Sequence, residues 1–257
     1  MAKLTFLGTC SGTEPFENMH HTSFIIEENE RIYWFDAGEN CSRNAFLRGV
    51  DMLSVRSVFI SHPHLDHIGG LLNLLFNIQK MIYVKGEKQK DGKTDFFLPT
   101  KTLWGKLRAV AEDGVPKFFT SVKTEDFAIG DGLVFENEDI RVSAIHNEHM
   151  GIPEDGEWKS YSFLIEIAGK KIVYSGDVGY LSELDPLIGN GCDILICESG
   201  HHNISDILEY AKSKDIERLF FNHHGREIIN NREAMQALAD VYPHSAVIAH
   251  DGLAIDI

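Results

Sequence analysis

The chain has 257 residues, of which 43% are hydrophobic, so it can bury one large core or two small ones. Its 24 basic and 39 acidic residues give a net charge of −15, which argues against long-range capture of nucleic acid by a basic face. No run of about 18 apolar residues occurs, so a membrane-spanning helix is not expected. The cysteines lack zinc-finger spacing and the first residues predict a strand rather than a signal peptide, so we expect a cytoplasmic protein with reduced thiols.

Apolar alternation at the start of the chain predicts three strands and a helix, at 3–7, 22–28, 31–36 and 41–49. Between the first two strands, the Gly-, Ser- and Thr-rich loop 8–15 is either a plain turn or one wall of an active-site mouth. The third strand ends at Asp36, which is either a helix cap or an acid that holds a metal-ligating histidine. We favour the second role.

The most informative stretch runs from Ser61 to Gly70 and contains the pattern His-x-His-x-Asp-His. The segment 55–60 before it is apolar and rich in β-branched residues, which predicts a buried strand. An apolar segment of helical length follows, and the Gly-Gly pair before it predicts a tight turn into a helix over 69–79. The polar side chains therefore lie on a strand-to-helix loop above a rigid sheet.

Four side chains of this loop suit metal binding. His62 and His64 are two residues apart, so in an extended segment they point the same way. Asp66 and His67 are adjacent and diverge, so one pair can serve one metal ion and the other pair a second. Imidazole and carboxylate together suit zinc, with manganese and iron as competitors. The pattern resembles the metallo-β-lactamase superfamily, which implies a dinuclear hydrolytic centre.

The remaining elements predict a sandwich of sheets and helices. Residues 81–99 predict strands at both ends of a charged loop, which is a solvated turn or, alternatively, a subunit contact or a lid. A helix with one apolar stripe follows at 100–113. Later strands are predicted at 117–122, 133–135, 140–145, 161–167, 171–174, 194–196, 219–221 and 246–249, and later helices at 203–213 and 231–240. The order predicts an α/β protein with an αββα sandwich in a single domain, 1–257.

The resemblance implies further metal ligands at strand ends. The strand at 140–145 leads to His146 and His149, and the superfamily pattern places the ligand at His149, with His146 as a core or supporting residue. Asp177 lies in a Ser-Gly-Asp motif, where the superfamily has a carboxylate that bridges both metal ions. The alternative role of Asp177 is a helix cap.

The last ligand is expected where the strand at 219–221 leads to His223 and His224. The family motif assigns ligation to His223, with His224 as the rival. Asp66 is also counted among the catalytic residues. The resemblance thus implies one metal ion on His62, His64 and His149, a second on Asp66, His67 and His223, and Asp177 as the bridge.

Short motifs resemble the ribonuclease Z-like phosphodiesterase branch of the superfamily. They are the bridging Asp177 without a cysteine ligand, Leu-Gly-Thr at 7–9 and Asp-Gly-Leu at 251–253. In that branch a protein acid protonates the leaving oxygen. A histidine of the branch stands where this chain has Cys197, whereas the adjacent Glu198 is retained. The candidates for the acid are therefore His201, His202 and His224.

A compact acidic chain without a long Gly- and Pro-rich arm favours a small phosphodiester over tRNA as the substrate. The plan is similar to that of the anti-Pycsar cyclic-nucleotide phosphodiesterases, which implies hydrolysis of 3′,5′-cyclic nucleotides by a hydroxide that bridges two divalent metal ions. The alternatives are a tRNA 3′-end endonuclease, a carboxylic or sulfuric ester hydrolase, and a non-enzymatic metal-binding module. The branch further implies a homodimer without a membrane partner.

Overall fold

The computed structural model describes residues 1–114, 118–154 and 156–257, with the backbone alone for Phe118. Across these ranges two mixed β-sheets pack face to face, and helices cover the outer face of each sheet. This is the αββα sandwich that the order of elements predicts, and the predicted α/β fold is confirmed. In the same ranges no helix is long and apolar enough to cross a membrane.

The strands of the two sheets alternate with turns along the chain. Within the described residues they are β1 (Lys3–Gly8), β2 (Ser23–Glu28), β3 (Arg31–Phe35), β4 (Val55–Phe59), β5 (Thr94–Leu98), β6 (Thr124–Ala128), β7 (Gly132–Glu136), β8 (Ile140–His146), β9 (Tyr161–Ile167), β10 (Lys170–Tyr174), β11 (Gly191–Ser199), β12 (Asp215–His224), β13 (Ser245–Ile248) and β14 (Ala254–Asp256). The first sheet has the order β14-β1-β2-β3-β4-β5-β6, and the second sheet has the order β13-β12-β11-β10-β9-β8-β7.

The helices form the two outer layers. In the part of the chain that the structure describes they are α1 (Cys41–Leu47), α2 (Leu65–Ile68), α3 (Leu71–Lys85), α4 (Lys101–Gly114), α5 (Phe118–Ser121), α6 (Asp185–Ile188), α7 (Ile204–Lys212), α8 (Arg226–Asn230) and α9 (Arg232–Ala239). Apolar side chains of α1, α3 and α4 pack on the outer face of the first sheet, and those of α6, α7 and α9 pack on the second sheet.

A ladder of phenylalanine rings crosses the inner face of the first sheet. Phe24, Phe35, Phe59, Phe97 and Phe127 are register partners on neighbouring strands from β2 to β6. Successive rings are stacked with centroids 4.9 to 5.0 Å apart. Cross-strand aromatic pairs stabilise a sheet beyond the area that they bury. The ladder therefore holds β3 and β4 side by side just before the loops that begin at residues 36 and 60.

Five loops from both sheets meet at one end of the sandwich. In the first sheet β3, β4 and β5 are parallel, and in the second sheet β10, β11, β12 and β13 are parallel. β8 runs in the same direction as β10, because both pair antiparallel with β9. The amide N–H of Tyr161 donates to the carbonyl of Ser61 at 3.1 Å and so joins this end of the two sheets. The predicted site residues follow β3, β4, β8, β10 and β12, so the fold brings them to the same edge.

The strand predicted at the start of 81–99 is wrong. Those residues continue α3, which ends only at Gly86, whose left-handed backbone (φ 67°) caps the helix. Met81 and Ile82 pack on the core from this helix, while Tyr83 and Val84 are exposed. A four-residue apolar run has no period by which a strand can be told from a helix.

The strand predicted at 117–122 is also wrong. Lys117 lies outside the described residues, and 118–121 form the helix α5. The strand of this region is β6, which follows it, and most of its side chains are exposed. An exposed edge strand carries little apolar signal, so the sequence does not indicate it.

Candidate metal centre

The loop after β4 carries the first four polar side chains of the site. His62 follows the strand and is fully buried, and the rings of His62 and His67 lie 4.0 Å apart between centroids. His64 is the N-cap of α2, a single helical turn that contains Asp66 and His67. The His67 amide N–H donates to the carbonyl of His64 at 3.0 Å. This turn folds the chain back, so that the two later side chains face the same space as the two histidines before them.

The loop after β3 packs backbone against backbone on this segment. A Cβ at Gly70 would overlap the carbonyl oxygen of Gly38, and a Cβ at Gly38 would lie 2.5 Å from the carbonyl oxygen of Asp66. The Gly70 amide N–H also donates to the carbonyl of Ala37 at 2.8 Å. Only glycine fits at positions 38 and 70, and the contact fixes Asp36 and Ala37 beside the loop that follows β4.

Three histidines and one carboxylate form a first donor group. Nδ1 of His64 lies 3.0 Å from Nε2 of His62 and 3.2 Å from Nε2 of His149. Oδ2 of Asp177 lies 3.7 Å from Nε2 of His62 and 3.6 Å from Nε2 of His149. Two ligand atoms at about 2.0 to 2.1 Å from a tetrahedral zinc ion are about 3.3 Å apart. The separations in this group therefore suit one ion.

Asp66, His67 and His223 form a second donor group, which adjoins the first at Asp177. Nε2 of His223 lies 3.1 Å from Oδ2 of Asp66 and 3.2 Å from Oδ2 of Asp177. Nε2 of His67 lies 3.6 Å from Oδ2 of Asp66 and 3.4 Å from Oδ1 of Asp177. Asp177 thus faces both groups, which is the placement expected of a bridging carboxylate.

Unpaired polar atoms in the centre suit a bound cation. Among the described residues, Nε2 of His67 and Oδ1 of Asp177 are buried without a hydrogen-bond partner. Buried polar atoms are seldom left unpaired in folded proteins. The two donor groups combine imidazole and carboxylate and include no cysteine. These residues fit divalent metal ions of the zinc, manganese and iron type.

Asp36 holds the histidines of both donor groups in place. Its Oδ2 accepts from Nδ1–H of His67 at 2.8 Å, which leaves Nε2 of that ring for the centre. Both carboxylate oxygens also accept from Ser61, through its amide N–H at 2.7 Å and its hydroxyl at 2.8 Å. The Ser61 hydroxyl accepts in turn from Nδ1–H of His62 at 3.0 Å. Asp36 makes no helix cap, because the N-cap residue of α1 is Asn40.

Tyr174 is a supporting residue that sequence reasoning missed. Its hydroxyl donates to Oδ2 of Asp36 at 2.5 Å, across the interface between the two sheets. Burial, and then the neighbouring Asp36, hold the pKa of Tyr174 well above its usual range, so the hydroxyl remains a donor. The available signal was a tyrosine at the buried end of a strand next to the Ser-Gly-Asp motif, because a buried hydroxyl needs a partner.

A β-bulge directs His223 into the centre. Opposite β11, Asn222 pairs with Glu198 and His224 pairs with Ser199, so His223 is an extra residue of β12. Its backbone is left-handed (φ 53°), which is uncommon for a residue other than glycine. A Cβ at Gly200 would lie 2.6 Å from Nδ1 of His223, so the glycine makes room for the ring.

Two of the rival histidines lie outside the donor groups. His146 ends β8, where its Nδ1 lies 2.7 Å from Oδ2 of Asp131 and its ring stacks on Trp158. His224 is fully buried, and its ring contacts the hydroxyl of Ser199 at 3.0 Å and the carbonyl of Ala249 at 2.8 Å. Burial lowers the pKa of His224 to about 3. This placement argues against His224 as an acid that reaches a substrate.

The segment after β11 contains another candidate for the acid that protonates the leaving oxygen. Cys197 is buried in the apolar cluster under the helices of the second sheet, whereas Oε1 of Glu198 contacts Nδ1 of His201 at 3.2 Å. His201 is 48% exposed, and its Nδ1 lies 3.7 Å from Oδ2 of Asp177. Nε2 of His202 instead lies 3.1 Å from the carbonyl of Val178. Of the three candidate acids, His201 alone is half exposed and has a ring nitrogen that clusters with ligand atoms of Asp177 and His223.

The buried charges of the centre agree with ligand chemistry. Burial, and then the neighbouring His67, hold the pKa of His62 well below its usual range, so its ring is neutral. Burial raises the pKa of Asp177, but His223 and His67 outweigh it and hold that pKa well below the usual range. His62 therefore offers a neutral imidazole and Asp177 an ionised carboxylate, which are the forms that bind metal ions. Burial lowers the pKa of His67, but Asp177 and Asp36 outweigh it and hold that pKa well above its usual range, so a metal ion has to displace a proton from this ring.

Residues 2–237 match the family model described as "Anti-Pycsar protein Apyc1". The chain belongs to this family. A relative named "Anti-Pycsar protein Apyc1", from Bacillus phage 010DV004, is 26% identical over 247 residues, which cover 87% of this chain and 89% of that protein. This family match agrees with the predicted branch.

Two further relatives place the family among known folds and activities. "Ribonuclease Z" from Methanothermobacter thermautotrophicus is 25% identical over an alignment of 311 residues, which covers 100% of this chain and 97% of that protein. The crystal structure of the metallo-β-lactamase fold protein YhfI from Bacillus subtilis has a TM-score of 0.76 at 18% identity, covering 99% of this chain and 98% of that chain. The predicted metallo-β-lactamase fold and ribonuclease Z-like branch are confirmed.

These findings also decide the class of the protein. The family and its ribonuclease Z relatives confirm a metal-dependent hydrolase of the phosphodiesterase type. The fold and the clustered histidines and aspartates indicate divalent metal binding. The expectation that nucleic acid is disfavoured is not supported, because ribonuclease Z is among the relatives.

Asp36→Asn is expected to weaken divalent metal binding about 10- to 100-fold, the range for residues that support metal ligands. Asparagine tolerates the left-handed backbone at this position (φ 51°). Its single oxygen can accept either from the Ser61 amide N–H or from the Ser61 hydroxyl, His67 and Tyr174, and its amide nitrogen cannot accept in the other place. Zinc titration against a chromophoric chelator measures the effect. The matched control is Asp139→Asn, since Asp139 is an equally buried acid that accepts from the Tyr33 hydroxyl and precedes β8 at the opposite end. Equal affinity in the two variants would contradict the role of Asp36.

Proposed function

We propose that this protein hydrolyses 3′,5′-cyclic nucleotides to nucleoside monophosphates with two divalent metal ions, zinc in the first place and manganese or iron as competitors. When bound, such ions stabilise the charge of the phosphoryl group and activate a water as the nucleophile. The observation that carries the proposal is the convergence of side chains from four loops on two adjoining donor groups. The proposed ligands are His62, His64, Asp66, His67, His149, Asp177 and His223.

Other residues of the chain hold and orient the two donor groups. The two donor groups adjoin at Asp177, whose carboxylate oxygens lie within 3.7 Å of histidine nitrogens in each. Asp36 and Ser61 keep Nδ1 of His67 and His62 occupied, so that both rings direct Nε2 at the centre. Asp66 adds a second anionic ligand and sits at the edge where Gly12 approaches it. A net charge of −15 means that local charge at the loaded centre, rather than a long-range field, must attract the phosphate.

Family membership supports a cyclic nucleotide as the substrate, since both the family model and the phage relative carry the anti-Pycsar description. A second candidate is tRNA 3′-end cleavage. It is favoured by the ribonuclease Z relative, whose alignment covers the whole chain at nearly the same identity. The two substrates share the phosphodiester bond and differ in what surrounds it, so the donor groups serve either. We place the cyclic nucleotide first because the family model matches most of the chain.

We assign protonation of the leaving ribose oxygen to His201. Glu198 accepts from the amide N–H groups of Gly200 and His201 and orients the His201 ring through Nδ1. With Nδ1 used in this way, Nε2 remains for a substrate atom. Neither His202, which contacts the carbonyl of Val178, nor the buried His224 is placed to do this.

We also propose a single domain, 1–257, and a cytoplasmic location. Side chains from both sheets form one aromatic and aliphatic core between them, which supports one folding unit. The described cysteines are all free and buried, which agrees with a reducing compartment.

A homodimer is proposed through the outer face of α1 and α3. Phe46, Phe76 and Tyr83 are 50%, 39% and 67% exposed there, beside a groove of about 450 Å³. The described residues that line the groove include Arg43 and Lys80 and no acidic side chain. In a chain with a net charge of −15, a face without acids is where a second copy meets the least repulsion. Such an exposed aromatic surface is typical of an interface.

Turnover of a substrate panel tests the proposed function. The metal-loaded protein is expected to hydrolyse 3′,5′-cyclic nucleotides, and Asp177→Ala should lose more than about 100-fold, because it removes a ligand rather than a supporting residue. His146→Ala, a histidine beside the centre but outside both donor groups, is the matched control and should retain turnover. Cleavage of precursor tRNA without turnover of cyclic nucleotides would select the second candidate. Wild-type turnover by Asp177→Ala would overturn the centre itself.

His201→Ala is expected to lower kcat for a cyclic nucleotide about 10²- to 10⁴-fold with little change in KM, because the leaving ribose oxygen needs a proton. Turnover of bis(p-nitrophenyl) phosphate should change little, since its phenolate leaves without one. His202→Ala is the matched control. An equal loss on both substrates would show that His201 supports the centre and is not the acid.

Phe76→Asp is expected to convert the proposed dimer to a monomer, because it places a charge in the apolar contact. Val241→Asp is the control, since Val241 is 63% exposed and lies beyond α9 in the other helix layer. Analytical ultracentrifugation over a range of concentrations measures the mass. A monomeric wild-type chain, or a dimer that Phe76→Asp leaves intact, would contradict this interface.

A further inference from the structure

The loop that carries His149 and the loop that carries Asp177 approach each other closely on the rim of the centre. A Cβ at Gly179 would lie 3.4 Å from the carbonyl carbon of Glu148, so the two backbones are in near contact there. Nε2 of His149 and Oδ2 of Asp177 lie 3.6 Å apart on the inner side of the same contact. Whatever holds these loops together therefore also sets a spacing within the first donor group.

Glu183 bridges the two loops at this contact. Its Oε1 accepts from the amide N–H of Glu148 at 2.7 Å, and its Oε2 accepts from the amide N–H of Tyr180 at 2.9 Å. Glu183 lies in the 3₁₀ turn Leu181–Leu184 and is itself only partly exposed. Hydrogen bonds to an ionised carboxylate are shorter and stronger than neutral ones. One side chain thus fastens the residue before His149 to the segment after Asp177.

Other hydrogen bonds of the His149 turn do not replace this link. The backbone N–H of Asn147 donates to the carbonyl of Ser160, and the backbone N–H of His149 donates to Oδ1 of Asn147. Both bonds stay within the connection between β8 and β9. The hydroxyl of Ser160 reaches the carbonyl of Asp177 at 3.4 Å, which is long for a hydrogen bond. Glu183 makes the short contact between the loops.

A purely local role for Glu183 would be to cap its own turn. The bond to the Tyr180 amide N–H is that of a capping box, which stabilises the start of a helical turn. The bond to Glu148 has no such explanation, since Glu148 is 35 residues away in the chain. The bond to Glu148 instead joins the segment after Asp177 to the loop that carries His149.

We propose that Glu183 is a positioning residue that keeps His149 within ligand distance of Asp177 and so maintains the first of the two metal sites. The inference rests on the proposed two-metal centre. Apart from Asp177, the residues of the second donor group lie on loops that Glu183 does not contact, so loss of Glu183 should loosen the first site much more than the second. The residue touches neither substrate nor metal and acts through the two loops.

Glu183→Gln tests the proposal, because the amide can accept one N–H but presents its own donor to the second. Titration of the metal-free protein with Zn²⁺ against a chromophoric chelator is expected to show two tight ions in the wild type. In Glu183→Gln we expect one tight ion and one weakened about 10- to 100-fold, the range for residues that support ligands. His149→Ala should give the same pattern.

The control is Asp193→Asn. Asp193 likewise accepts from a backbone amide, that of Lys171 at 2.8 Å, and from Nζ of Lys170, but it lies at the start of β11, away from the centre. Urea unfolding of the metal-free proteins is expected to show similar losses of stability in both variants, with two tight ions kept only in Asp193→Asn. Two tight ions in Glu183→Gln, or equal weakening of both ions, would overturn the proposal.

A wild type that binds Zn²⁺ twice but turns over no cyclic nucleotide would contradict the proposed substrate alone. A wild type that binds no Zn²⁺ would overturn both the proposed function and the role of Glu183.

Discussion

One buried carboxylate connects the two sheets to both donor groups. Asp36 directly follows β3 of the first sheet, and Tyr174 donates to it from β10 of the second sheet. The same carboxylate orients His67 directly and His62 through Ser61. Because it accepts four hydrogen bonds in a buried site, it has no freedom to turn, and networks of this kind strengthen one another at low dielectric. The packing of the sheets and the direction of two imidazole rings are therefore set by the same contact.

Regular strands hold two residues at the centre in strained backbone conformations. Asp36 and His223 both have left-handed backbones, which are costly for residues other than glycine and persist only where the surroundings enforce them. For Asp36 the enforcing structure is the phenylalanine ladder, which holds β3 beside β4. For His223 it is the bulge against β11, where pairing resumes one residue later at His224. Both deviations turn a side chain toward the centre that a regular strand would direct elsewhere.

Sequence reasoning succeeded where a pattern is local and failed where a contact joins distant segments. Strand, loop and ligand occur together around His62, so the fold and the donor residues could be predicted from short motifs. The choice between His223 and His224 needed a family motif, since only the bulge, which no local pattern reveals, decides it. Tyr174 and Glu183 act across the interface or between loops, and nothing near them in the chain indicates their partners. Exposed β6 was missed because it buries too little apolar surface to leave a pattern.

The backbone at position 197 bears on where the proposed acid is held. Along β11, Ile194 and Ile196 face the core between the sheets, whereas Leu195 and Cys197 face the helices. A histidine at 197 with this backbone would therefore point away from the donor groups. Glu198 lies on the face of the centre, and it binds the next turn of chain so that His201 stands beside Asp177. The acid that we propose is thus placed by a loop rather than a strand. Loops vary more readily than strands, so the same metal centre can serve different phosphodiesters in related proteins.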